Sequence, residues 1–212
     1  MVSPLVLDVA GLRERLRRPA PARAVYGDDG AGREEAGRIV EHRRAGVLVP
    51  IIAHAGGLTV LFTQRTASLR SHSGQVSFPG GRAEPTDPSI EFTALRETEE
   101  EIGLPARRVE VLARLSEYFT RTGYRVTPVV GLIQPPLELV PDAREVDEVF
   151  EVPLDFILDE ANHRRATREL NGRTVGYYVI EHNGRTIWGA TAGMLVNLYR
   201  QLSSDSSAPP AG

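Results

Sequence analysis

Glu97, Glu99, Glu100 and Glu101 place four carboxylates within five residues near the middle of a 212-residue chain. Flanking signals put them on a helix. Asp87 can accept from the exposed N–H groups of a helix start, Pro88 fits the first helical position, where no N–H is needed, and Gly103 supplies a left-handed stop. Ala94, Leu95, Thr98 and Ile102 form a stripe on a different face, so one side packs and another stays open. At about 100° per residue, Glu97, Glu100 and Glu101 share a sector about 100° wide, and Glu99 points elsewhere. Like charges three and four apart cost a helix roughly 0.2–0.5 kcal/mol per pair. A solvated acidic face is the plain reading of such a run. The neighbours favour another. Phe78-Pro79-Gly80-Gly81 is a turn that lets backbone approach a ligand closely. A strand, a glycine turn and an acid-bearing helix together make a phosphate and metal site, since three convergent oxygens suit Mg²⁺ or Mn²⁺, hard ions that share phosphate oxygens with a substrate.

Gly81, Asp87, Arg96, Glu97, Glu100, Glu101 and Gly103 carry a closer resemblance. They match the box of the Nudix hydrolase family, in which a glycine and an acid precede Arg-Glu-x-x-Glu-Glu-x-Gly. There are two departures. Asp87 stands where the family usually has glutamate, and eight residues separate it from Arg96 instead of seven. Residues 61–81 look like the additional motif of the coenzyme A diphosphatase branch, whose members share the aspartate and the longer spacer. The two motifs together span residues 61–104.

The resemblance implies an α+β fold, a mixed β-sheet sandwiched between α-helices. It also implies metal-dependent hydrolysis of the diphosphate of coenzyme A or its thioesters, giving 4′-phosphopantetheine (or its acyl form) and adenosine 3′,5′-bisphosphate. Glu97, Glu100 and Glu101 would hold Mg²⁺ or Mn²⁺, the Gly80 carbonyl would be a further ligand, and one helix glutamate would serve as base. Glu145, in the acidic segment 142–148, is the favoured loop acid, against the alternative of an exposed charged turn. The expected catalytic residues are therefore Glu97, Glu100, Arg96 and Glu145, with Arg96 orienting Glu97 through a bidentate contact. Arg65 and Arg70 are expected to meet the substrate's phosphates, including a ribose 3′-phosphate. His72, Gln75 and Ser77 are further substrate candidates. Tyr118, Phe119, Tyr124 and Trp188 either stack on adenine or pack in the core. ADP-ribose, NADH or a dinucleotide are alternative substrates, because the box is common to all. A nucleotide-sensing module without turnover is the rival of another class, and the intact Arg96-Glu97-x-x-Glu100-Glu101 stands against it.

Composition narrows the partners. A net charge of −3 and a pI near 6.0 argue against a nucleic-acid surface driven by bulk positive charge, although all 25 basic residues are arginine. The absence of cysteine excludes disulfides and thiolate chemistry, and no serine or threonine has an obvious partner base for a covalent intermediate. No apolar run approaches the roughly 20 residues of a membrane span, and residues 1–10 lack the basic start of a secretory signal, so a cytoplasmic protein with a small-molecule substrate is expected. Residues 1–32 read as a helix and connector, 33–202 as one Nudix domain and 203–212 as a disordered tail. Helices are expected at 8–18, 34–44, 154–160 and 191–202. Strands are expected at 47–53, 58–64, 109–119, 125–133, 148–152, 174–181 and 185–188, with hairpin turns at Gly56-Gly57 and Asn183-Gly184. The first helix suits packing on its own domain or on a second copy, as in a homodimer.

Overall fold

Residues 43–54 carry the alternation that organises the molecule: Leu48 and Ile52 pack to one side, Val49 and Ile51 to the other, and all four are buried. A strand buried on both faces belongs in a sheet covered twice. A computed structural model describes residues 5–19, 27, 42–67, 74–170 and 172–204. In chain order its elements are α1 (Val9–Leu16), β1 (Arg43–His54), β2 (Gly57–Arg65), β3 (Val76–Ser77), β4 (Gly80–Arg82), α2 (Ile90–Ile102), β5 (Val109–Arg114), β6 (Tyr118–Phe119), β7 (Tyr124–Ile133), β8 (Val146–Pro153), α3 (Leu154–Ile157), β9 (Arg164–Leu170), β10 (Arg173–His182), β11 (Arg185–Trp188) and α4 (Ala190–Ser203).

The main sheet is mixed. Its order is β3-β2-β1-β7-β5, with β4 added to β1, β6 to β7 and β8 to β2. β1 and β7 run parallel from Arg43 opposite Tyr124 to Ile52 opposite Ile133, and the other pairs are antiparallel. On one face Leu48, Ile52, Leu61, Val129 and Ile133 meet Ala94 and Ile102 of α2. On the other, Val49, Ile51, Val60, Phe62, Val130 and Leu132 meet Leu12 and Leu16 of α1 and Leu195, Leu198 and Leu202 of α4. Full burial of a side chain such as Ile102 contributes about 1.5–3 kcal/mol, enough to outweigh the like-charge pairs on the same helix. The sheet sandwiched between helices that the sequence leads one to expect is present.

α1 docks on its own fold. Asp8 caps it by accepting from the Gly11 N–H at 2.8 Å, Arg18 Nη1 donates to the Ser204 carbonyl at 2.7 Å, and Gln201 Nε2 donates to the Arg18 carbonyl at 2.9 Å. Among the described residues no helix is long and apolar enough to cross a membrane.

Several expectations change. Residues 34–41 lie outside the described residues, while Arg43 and Arg44 open β1 rather than close a helix. Arg43 extends the parallel pairing to Tyr124 and stacks its guanidinium 4.2 Å from that ring, contacts invisible to a local pattern. The strand expected at 109–119 is two, β5 and β6, because pairing to β7 shifts register at Val111/Ala113 and breaks before Tyr118. The helix at 154–160 ends at Ile157, followed by a 3₁₀ turn at Glu160–Asn162. β9 was not expected at all: Arg164–Leu170 is mostly polar and gains its strand from pairing with β10. The expected tail from residue 205 on lies outside the described residues, and Ser203 still belongs to α4.

Candidate active site

α2 is seated unusually close to the sheet. A Cβ on Gly46 of β1 would stand 2.6 Å from the Ile90 carbonyl oxygen and 3.2 Å from the Ala94 nitrogen. Ser89, not Asp87, caps the helix, its Oγ accepting from the Phe92 N–H at 3.2 Å. Asp87 sits two residues too early for that role and Pro88 lies before the helix. Gly103 ends it in the left-handed region at φ 70°, as expected.

Asp87 anchors Arg96 instead. It accepts from Arg96 Nε and Nη2 at 3.2 and 3.1 Å, from Thr93 Oγ1 at 2.8 Å and from the Glu84 N–H at 2.9 Å. The Arg96 guanidinium, with the Glu84 N–H next in weight, holds the Asp87 carboxyl down at about 2. The bidentate contact expected between Arg96 and Glu97 is therefore made to Asp87. Arg96 Nη1 faces Glu97 at 2.9 Å and Glu100 at 3.2 Å. One guanidinium fixes three carboxylates, which accounts for an acid at position 87 within the motif.

Glu101 lies at the bottom of the site, 6 % exposed. Its carboxylate accepts from the Gly80 N–H at 3.3 Å and faces Arg65 Nη1 at 3.7 Å. Arg65 also reaches Glu145 at 3.9 Å, so the loop acid and the helix acid stand on either side of one cation. Backbone bonds fix this loop: the Asp142 N–H donates to the Glu101 carbonyl at 2.9 Å, and the Thr66 N–H to the Glu145 carbonyl at 3.0 Å. Burial pushes the Glu101 carboxyl up to about 7, with Glu145 and Glu97 adding to the rise and Gly80 and Arg65 opposing it. Glu97 is raised too, mainly by burial, with Arg96 opposing. Glu99 points away and accepts from the Ala106 N–H at 3.3 Å.

Gly80 and Gly81, expected in a turn, instead open β4, paired antiparallel with β1, because the backbone there joins the ladder of Val47 and Gly46. A Cβ on Gly81 would fall 2.3 Å from Glu97 Oε2, so only glycine leaves that carboxylate its place. These oxygen donors suit a hard divalent cation in kind, and the buried, like-charged Glu101 is the group whose ionisation such a cation would favour. Among the described residues no three acidic or histidine side chains are gathered into a ready cage. These carboxylates are paired instead with Arg96 and Arg65.

Beside the carboxylates opens a cavity of about 330 Å³, bordered by Arg65 and Gly80 and walled by Gln75, Ser77, Tyr118 and Trp188 among others. Of the four aromatic candidates, Tyr118 and Trp188 line it, whereas Phe119 packs edge-on to His42 and Tyr124 lies under Arg43. Gln75 and Ser77 line the cavity as well. Arg70 and His72 lie outside the described residues. Arg121 and Arg168, which no motif marks, also line it.

Asp87→Asn tests the anchor. It removes half of a charge-assisted bidentate pair, and turnover is expected to fall about 10- to 100-fold, the usual effect of losing a group that orients a ligand. Because the Asp87 carboxyl is lowered from 3.8, its contribution to stability is present above about 4 and is lost as pH falls toward 2. Melting temperatures of wild type and variant should thus converge below about pH 2 and differ at pH 6.

The family model of the NUDIX domain matches residues 42–170. An uncharacterized Nudix hydrolase NudL of Photorhabdus laumondii is 43% identical over 161 residues, covering 76% of this chain and 86% of that protein. The protein of the same description from Pectobacterium atrosepticum is 42% identical over 163 residues, covering 77% and 84%. Among solved structures, RenU, a Nudix hydrolase from M. smegmatis, aligns with a TM-score of 0.47 and 26% identity, over 66% of this chain and 84% of that one.

Proposed function

The chain belongs to the Nudix family, whose domain covers residues 42–170, and from that premise we propose that this hydrolase cleaves the diphosphate bond of coenzyme A or its thioesters. The observation that carries the hydrolytic reading is Glu101, buried and paired, together with Glu145, with the Arg65 that lines the cavity. The choice of coenzyme A rests on residues 61–81, of which the described part forms β2, β3 and the wall beside Arg65.

Glu97, Glu100 and Glu101 would hold Mg²⁺ or Mn²⁺, with Glu145 and the Gly80 carbonyl as further donors. When bound, the ion supplies neutralisation of charge on the phosphate oxygens and acidifies a water. Arg96 sets the orientation of Glu97 and Glu100. Arg65, which lines the cavity, pairs with Glu101 and Glu145 and offers its remaining donors to a diphosphate. A carboxylate of this cluster takes the proton of the attacking water, Glu100 being the one at the solvent side, with 60% of its side chain exposed.

Proton and cation compete for Glu101. With its carboxyl raised from 4.5 to about 7, the stability that the protonated form contributes is full below about 4.5 and is lost as pH rises through 7. Mg²⁺ should therefore raise the melting temperature more at pH 8 than at pH 5.5. An equal rise at both would detach Glu101 from the cation.

Turnover of coenzyme A, an acyl-coenzyme A, 3′-dephospho-coenzyme A, ADP-ribose and NADH, compared at fixed Mg²⁺ and at fixed Mn²⁺, tests the substrate. The expected result is the highest kcat/KM for coenzyme A or its thioester. A preference for ADP-ribose or NADH would overturn that choice and keep the metal chemistry.

A further inference from the structure

Among the described residues, the cavity wall carries three arginines, Arg65, Arg121 and Arg168, and no aspartate or glutamate. Their situations differ. Arg65, one of the two residues expected from the sequence to read a 3′-phosphate, already faces Glu101 and Glu145. Arg70, the other, lies outside the described residues. Arg168 projects from β9, the strand that sequence does not announce. Its guanidinium lies 5.5 Å from the Tyr177 ring and 5.6 Å from the Trp188 ring, and these two rings meet edge to face at 5.8 Å. Register puts all three side chains on one face of the small sheet: Arg168 opposite Val175, Tyr177 opposite Ala166 and Trp188 opposite Val179.

Among the described residues, the Nε–H groups of Arg168 and Arg185 are buried with no hydrogen-bond partner, and of the two only Arg168 lines the cavity. A desolvated guanidinium donor without an acceptor opposes folding, and one that borders a cavity can gain its acceptor from a bound ligand, ion or water. Aromatic rings orient the cation and neutralise none of its charge. Arg121, exposed on the loop before β7, adds a second positive charge to the same cavity. A planar, weakly hydrated cation held rigid, with a second arginine on the same wall, is the chemistry that recognises a phosphate dianion.

We propose that Arg168, assisted by Arg121, forms a second anion subsite that takes a phosphomonoester on the nucleoside of the substrate, distinct from the diphosphate presented to Glu97, Glu100 and Glu101. The inference rests on the reading of the chain as acting on a nucleoside diphosphate compound. It assigns recognition of a ribose phosphate to β9 rather than to the segment 61–81.

Calorimetric binding of adenosine 3′,5′-bisphosphate and of AMP to the full chain with Mg²⁺ tests it. Wild type is expected to bind the bisphosphate at least about ten-fold more tightly, the scale of a charge-assisted phosphate contact. Arg168→Gln should reduce that ratio to near one mainly by weakening the bisphosphate, and Arg168→Lys should keep part of it. Arg121→Gln should lower it less. A wild-type ratio near one, or equal weakening of both ligands in Arg168→Gln, overturns the subsite; melting temperatures identify a variant that loses binding by unfolding, and Arg168→Lys then decides. If coenzyme A is not hydrolysed yet the ratio holds, the substrate choice above fails and the subsite stands.

Discussion

Glu101→Gln is expected to lower kcat/KM by at least about 10²-fold while the protein stays folded. The substitution keeps the shape and the oxygen that accepts from the Gly80 N–H at 3.3 Å, and removes the charge facing Arg65 and the proposed cation. A lost carboxylate donor weakens cation binding, the acidity of a bound water and the clamp on the phosphate at once. Folding should respond in the opposite direction. At pH 8 the wild type must keep a carboxylate ionised at a site where burial pushes it up to about 7, whereas glutamine carries no such demand. Without added Mg²⁺, the variant should therefore melt no lower than wild type at pH 8, and Mg²⁺ should shift it less. Full activity in Glu101→Gln would remove the residue from the metal set. Lost activity with a collapsed melting transition would make Glu101 a structural residue.

Gly46→Ala should destabilise the protein through a single methyl group. The added carbon would stand 2.6 Å from the Ile90 carbonyl and 3.2 Å from the Ala94 nitrogen. Both are backbone atoms of α2, so no side chain can swing aside. The helix must lift from β1, and overpacking of this kind costs about 1–3 kcal/mol. For a domain of this size that is roughly 2–4 °C of melting temperature per kcal/mol. Activity should fall as well, because lifting the start of α2 carries Arg96 and Glu97 away from Gly81, whose Cβ position lies 2.3 Å from Glu97 Oε2. An unchanged melting temperature would show that β1 and α2 are less closely seated. Gly56→Ala, at a position with open space around it, is the control.

The central strand was legible as a continuous apolar run. Leu48 and Ile52 against Val49 and Ile51 announce a strand covered on both sides, and the Asn183-Gly184 pair announces the β10–β11 hairpin. Arg164–Leu170 announced nothing, since it is mostly polar and only the ladder to β10 makes it a strand. The helix stop at Gly103 was readable from one residue, yet the start was misplaced by two, because Asp87 and Ser89 are equally good caps in sequence. The structure gives Asp87 to Arg96 and leaves Ser89 to the helix.

By itself, the sequence determined the kind of chemistry available: a run of glutamates on a delimited helix, preceded by paired glycines, with every donor an oxygen. These are local facts, fixed by spacing along 3.6 residues per turn and by glycine's freedom from a Cβ. Only the tertiary structure decided which carboxylate is desolvated, that Arg65 stands between Glu101 and Glu145, that Arg96 is bidentate to Asp87, and that Arg168 shares a cavity with Gly80. Burial and the pairing of charges distant in sequence depend on how β1, α2 and β9 are stacked, and no spacing within one segment encodes that.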